Sequence, residues 1–230
     1  MTDLCILPGL DGTTRMLRHF MAAVQPSFAS VAAIAYPTDV ALDYRDLEVL
    51  VRDALPRSPF VLLGESFSGP IAISIAADPP PNLIGLVLST SFARAPVPLL
   101  MPFAALTRLA PVRMVPTAIL SAVLLGRWST SELRRELRSA LGEVAPGVLR
   151  ARAAAAMRVD VSDRLAHIAV PTLSLKANHD RLLHAGAGRQ LIDAIADASP
   201  AALDGPHLLL QTHADRCAAE IARFAARLAH

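Results

Sequence analysis

Three residues of this chain, a serine, an aspartate and a histidine, each stand just beyond an apolar run, and together they have the chemistry of nucleophilic catalysis. Ser66 lies in VLLGESFSGPIA, where an apolar run ends at Gly64 and a helix-like pattern starts almost at once. That order holds the serine on a tight strand-to-helix turn. Such a turn pushes the hydroxyl out at the carboxyl end of the strand and needs small neighbours, because backbone segments meet closely around it. Gly64 and Ser68 are those neighbours, with Ser68 standing where a second glycine is usual and Gly69 one residue later. Ser68 is the competing nucleophile, but it would place Pro70 at a small-residue position, and a proline ring suits the first turn of a helix better. Ser66 is the better placed of the two.

A serine hydroxyl is a poor nucleophile at neutral pH, so it needs a base within hydrogen-bond reach and a group to orient that base. Asp180 lies just past the apolar run Thr172 to Leu175, and His207 just past a short run around Pro200 to Leu203. Open parallel sheets gather their ligands at the carboxyl ends of strands, so all three residues occupy suitable ends. Their competitors have simpler readings. His179, His184 and His213 read as loop or helix-start residues, and His19 and His167 as partly buried packing residues. Asp204 precedes a Gly-Pro pair and reads as a turn former. No His, Cys or carboxylate cluster has metal-ligand spacing, and a glycine-rich phosphate loop is missing, so neither a metal nor a cofactor is expected.

The elements that must position these residues can be read from apolar periodicity. Strands are expected at Asp3 to Leu7, Val31 to Tyr36, Phe60 to Leu63, Ile84 to Ser89, Thr172 to Leu175 and around Pro200 to Leu203. Helices are expected at Thr14 to Val24, Asp43 to Leu55, from the Ser66 turn to about Ala77, at about Ala185 to Ala196 and at about Ala214 to Leu228. Strand and helix alternate, which predicts a mostly parallel sheet of about six strands with right-handed crossovers. The alternation breaks at Phe92. From there to about Val159 the pattern is helical and punctuated by prolines, with a cap-and-charge helix start at Ser129 to Glu132. The division that follows is a core of residues 1–92 and 160–230 with an inserted helical cap at 93–159.

Composition narrows the function classes. The 230 residues suffice for one core with an insertion. A net charge of +2 implies no strong field for nucleic acid or anionic membrane. Cys5 and Cys217 lie far apart in apolar surroundings and read as buried structural thiols. There is no basic segment followed by a long apolar stretch at the N-terminus and no unbroken apolar run of membrane-spanning length, so a cytoplasmic protein is expected.

Taken together, GESFSG, PTLSLKANHD, GPHLLLQTHAD and LPGLDGT resemble the α/β-hydrolase family across essentially the full chain, and DVSDRLAHIAVPTL is similar to that family's return from cap to sheet. The chain order Ser, Asp, His is the family's order. Two departures stand out: Pro8 occupies a position often taken by histidine, and the chain opens at what would be the family's third strand, without the usual antiparallel N-terminal hairpin. The resemblance implies an α/β-hydrolase fold and a triad of Ser66, His207 and Asp180. Ser89, Thr90 and Ser91 leave the family's alternative acid position without a carboxylate, which favours Asp180. It also implies an oxyanion hole from the backbone N–H groups of Phe67 and Leu10, or of Asp11 if the loop is shifted by one.

The cap is strongly apolar and sets the expectation for substrate. Leu100, Phe103, Leu124 and Trp128 are the candidate pocket residues, and Arg108, Arg113 and Arg127 could meet a carboxylate or a carrier phosphate. An apolar cap over a polar triad favours an acyl or alkyl group over a sugar or a charged amino terminus. The expected function is hydrolysis of a small-molecule carboxylic ester through an acyl-enzyme. Thioester or C–C bond hydrolysis, or a hydrolase-like sensor of a small molecule, are the alternatives.

Overall fold

The computed structural model describes residues 2–95, 117–183 and 186–228. Six strands form one sheet in the order β2-β1-β3-β4-β5-β6, and every neighbouring pair is parallel. They are β1 (Asp3–Leu7), β2 (Val31–Ala33), β3 (Phe60–Glu65), β4 (Leu83–Ser89), β5 (Thr172–Ala177) and β6 (Ala198–Leu203). The helices among the described residues are α1 (Arg18–Val24), α2 (Tyr44–Ala54), α3 (Gly69–Ala77), α4 (Thr117–Leu124), α5 (Ser131–Gly142), α6 (Pro146–Ala156), α7 (Ala187–Ala194), α8 (Leu209–Thr212) and α9 (Ala214–Leu228).

The central strands are continuous apolar runs because helices cover both of their faces. Alternate residues of β3 enter two different cores. Phe60 and Leu62 pack in a cluster with Leu47 and Val51 of α2 and Ile71 and Ile75 of α3, whereas Val61 and Leu63 pack with Phe20 of α1 and Ile221 and Phe224 of α9. Helix α2 begins where its sequence dictates. Asp43 accepts hydrogen bonds from the Arg45 and Asp46 amides at 2.9 Å, and the Asp46 carboxylate returns the interaction to the Asp43 amide.

Some expected boundaries move. The helix expected over Thr14 to Val24 opens with a 3₁₀ turn at Arg15–Leu17 before α1. Strand β2 stops at Ala33, because beyond Ile34 the backbone turns to the loop after β1, where the Tyr36 amide donates to the Gly12 carbonyl at 2.8 Å. The helix start expected at Ser129 falls one residue later. Thr130 is the cap, accepting from the Leu133 amide at 3.1 Å, while Ser129 Oγ is engaged by Ser121 and Arg134. His19 and His167 are exposed, not partly buried: each lies on the hydrophilic side of its turn while Phe20 and Leu165 take the core positions beside them. Cys5 and Cys217 are buried free thiols, and burial pushes both up to about 12.

Between β4 and β5 the described residues form α4, α5 and α6, with a 3₁₀ turn at Gly126–Trp128 between α4 and α5, and Arg94 and Asp160 make an isolated antiparallel bridge beside them. These helices pack on the loops at the carboxyl ends of the strands. Leu120 and Leu124 meet Met16 and Leu208, and Val148 and Leu149 meet Leu10. Leu100, Phe103, Arg108, Arg113 and His184 lie outside the described residues.

Candidate active site

The strand order reverses between β1 and β3, since the chain leaves β1 toward β2 and returns on the other side as β3. Crevices at such a switch point, beyond the carboxyl ends of the strands, are where open α/β sheets place ligands. The register aligns the ends: Leu7 is opposite Gly64, Glu65 opposite Ser89, and Ala177 opposite Leu203. The loops after β1, β3, β5 and β6 therefore converge.

Ser66 has φ of +47°, in the left-handed region that non-glycine residues rarely occupy. The turn is held on both sides. Ser91 Oγ donates to the Ser66 carbonyl at 2.9 Å, and Tyr44 Oη donates to the Phe67 carbonyl at 3.0 Å. The close approach expected at Ser68 falls instead on Gly69, where a Cβ would run into Ser91 Oγ. Ser68 is tolerated because its hydroxyl has its own buried site, bonded to Tyr36 Oη at 2.6 Å and to the Pro8 carbonyl. Those bonds occupy Ser68 and tie the turn to the loop after β1.

Ser66 Oγ lies 2.8 Å from His207 Nε2, and His207 Nδ1 lies 2.8 Å from Asp180 Oδ2. His207 is 2% exposed. The other carboxylate oxygen of Asp180 accepts from the Leu182 and Leu183 amides at 2.8 and 2.9 Å, which fixes the rotation of the group. Burial works to raise the Asp180 carboxyl, but the hydrogen bond and charge of His207 with those two amides outweigh it and hold it below the ordinary carboxylate range. The two loops are joined by backbone bonds, Asn178 N–H to Leu203 O at 2.9 Å and His179 N–H to Gly205 O at 3.0 Å.

Phe67 is the second residue of the 3₁₀ turn Ser66–Ser68, and amides at a helix start have no intrahelical acceptor. Leu10 and Asp11 lie in the neighbouring loop after β1, where the Gly12 amide donates to the Gly9 carbonyl at 3.0 Å. Of the pocket candidates, Leu124 accepts at its carbonyl from the Leu208 amide at 3.1 Å, beside His207. Trp128, in the 3₁₀ turn after α4, is taken up in a clasp with the segments that carry His179 and His213. Its ring lies 5.3 Å from that of His179 and 5.8 Å from that of His213, with the Arg127 guanidinium 4.2 Å from its centre. Asp204 does more than form a turn: it binds Arg127 at 2.9 Å and His179 at 2.6 Å.

Two buried ionisable residues escaped the sequence reading. Glu65, immediately before Ser66, is 3% exposed and accepts from Gln211 Nε2 at 2.8 Å. A carboxylate ending an otherwise apolar strand was the available signal. Arg152 of α6 is 1% exposed. Its signal was its place on the apolar stripe of Val148, Leu149 and Ala156. Folding also brings His19, Glu132 and Glu136 within 4.8 Å of one another, a grouping that spacing along the chain could not reveal. It is largely exposed, and no residue around Ser66 belongs to it.

Burial pushes the Glu65 carboxyl from 4.5 up to about 7; Gln211 opposes the rise, the Asp11 charge adds to it, and His207 and the Gly9 amide oppose it. The folded protein thus favours the neutral acid. The stability that follows is full below the unfolded value and is lost as pH rises through about 7. Glu65→Gln should abolish that loss, so that between pH 4.5 and 8 the variant gains on the wild type by about 3 kcal/mol. Urea unfolding at the two pH values measures it, and parallel behaviour of both proteins would assign the titration elsewhere.

Residues 30–205 match the family model described as serine aminopeptidase, S33. No curated protein matches the sequence. The chain is similar in structure to the enol-lactonase from Burkholderia xenovorans LB400, with 19% identity, a TM-score of 0.81, and coverage of 98% of this chain and 91% of that one. It is similar to a thermophilic esterase from Thermogutta terrifontis, with 18% identity, a TM-score of 0.81, and coverage of 99% and 90%. The bromoperoxidase from Bacillus anthracis gives a TM-score of 0.85 at 13% identity, covering 98% and 92%. At these identities the likeness is one of fold.

Proposed function

The chain belongs to the serine aminopeptidase S33 family of α/β-hydrolases, and from that premise we propose that it is a serine hydrolase cleaving carboxylic esters with an apolar acyl or alkyl group. One observation carries the reading: the unbroken hydrogen-bond chain from Ser66 through His207 to Asp180. His207 takes the proton of Ser66 as the hydroxyl attacks the acyl carbonyl, then delivers it to the leaving alcohol. Asp180 holds the Nδ1–H tautomer and stabilises the imidazolium. Water activated by the same histidine then releases the acid from Ser66. The Phe67 amide and that of Leu10 or Asp11 receive the oxyanion, each donor contributing roughly 10²- to 10³-fold.

The insertion acts as the cap in this reading. Its described apolar residues, such as Leu120 and Leu124, pack against the β1 and β6 loops and favour an acyl chain over a charged amino terminus. No described helix is long and apolar enough to cross a membrane, and the two free buried thiols suit the reducing cytoplasm.

A panel of p-nitrophenyl esters, thioesters and aminoacyl anilides of graded size tests the proposal. Sustained turnover, fastest on esters, is the expected result. Faster turnover of the anilides would replace esterase by aminopeptidase, and one turnover with retained product would indicate a sensor.

A further inference from the structure

Arg152 stands on α6, within the insertion, yet its guanidinium reaches the loop that follows β1. Nη1 donates to the Leu10 carbonyl at 3.2 Å and to the Asp11 carbonyl at 2.7 Å, and Nη2 donates to the Pro37 carbonyl at 2.8 Å. Its Cζ lies 5.5 Å from the centre of the Tyr36 ring. The partners are backbone oxygens, and Gly12 yields space for them: it has φ of +70°, and a Cβ there would collide with Nη1.

A peptide group is planar and trans, so fixing its carbonyl fixes the direction of its N–H. Three consecutive peptide planes cross the loop from Gly9 to Gly12. The first carries the Leu10 amide and is held through the Gly9 carbonyl by the Gly12 N–H at 3.0 Å. The second carries the Asp11 amide and is held by Arg152 through the Leu10 carbonyl. The third is held by Arg152 through the Asp11 carbonyl. Whichever of Leu10 and Asp11 faces the oxyanion, its direction depends on a turn that Arg152 closes from outside.

We infer that Arg152 is a positioning residue for the oxyanion loop, through which seating of the inserted helices on the core sets the aim of the second oxyanion amide. This deepens the hydrolase reading and rests on it. The guanidinium, buried behind the loop, touches no substrate. Its effect appears in the transition state, where the amide meets the developing charge, and not in substrate binding.

The experiment compares wild type, Arg152→Ala and Arg152→Lys on one p-nitrophenyl ester, with and without added guanidinium ion. Arg152→Ala should lose about 10²-fold in kcat, the worth of one oxyanion donor, with KM nearly unchanged. A boronate transition-state analogue should lose affinity in parallel. Guanidinium should recover part of the Arg152→Ala activity, since the vacated space keeps its three carbonyls. Arg152→Lys, whose single ammonium cannot hold all three, should show a smaller loss of the same kind and serves if the alanine variant does not fold. A folded Arg152→Ala or, failing that, Arg152→Lys with wild-type kcat, or with a loss confined to KM, overturns the inference alone. Absence of ester turnover in the wild type overturns the hydrolase reading and takes the inference with it.

Discussion

Ser66→Ala should lower kcat on an ester by about 10⁶-fold, the loss expected when a nucleophile acting as one unit with its base is removed. The geometry makes the expectation sharp. The Ser66 hydroxyl lies 2.8 Å from His207 Nε2, on a residue whose φ of +47° is maintained by the bonds to its own carbonyl and to that of Phe67. Ser68 is the control. Its hydroxyl is buried between Tyr36 Oη and the Pro8 carbonyl, so Ser68→Ala should disturb the turn without removing the nucleophile. A phosphonate probe should label Ser66. Wild-type turnover by Ser66→Ala, or a label on Ser68, would move the nucleophile.

For Asp180→Asn the expected loss in kcat is on the order of 10⁴-fold, with KM little changed. The reason lies in the two ends of the carboxylate. One oxygen is committed to the Leu182 and Leu183 amides, so an asparagine keeps its carbonyl there and turns its NH₂ toward His207 Nδ1. Nδ1 must then accept, the ring proton moves to Nε2, and Nε2 can no longer take the proton of Ser66. Asp204→Asn is the matched control, because Asp204 binds Arg127 and His179 and does not touch His207. Equal losses in the two variants, read from steady-state kinetics on the same ester, would take the acid role away from Asp180.

The parallel sheet was legible because β3 and β4 are continuous apolar runs, long enough for strands and separated by helical periods. That Ser66, Asp180 and His207 come together was legible because each lies in the segment after a strand, β3, β5 and β6, and parallel topology sends all those ends to one side of the sheet. The exposed side chains of His19 and His167 were misread because one histidine near an apolar residue carries no periodicity of its own.

The sequence by itself determined which segments form strands, which face of α2 is apolar, and which three residues stand at strand ends, since these depend on local spacing along the chain. Only the tertiary structure decided that Gly69 rather than Ser68 yields to a neighbour, that Trp128 is clasped by two histidines, that Glu65 is buried, and that Arg152 reaches the loop after β1. Each of these joins segments remote in sequence. Side-chain partners at such range are selected by packing and by the need to satisfy every buried polar group, and neither leaves a periodic trace in the chain.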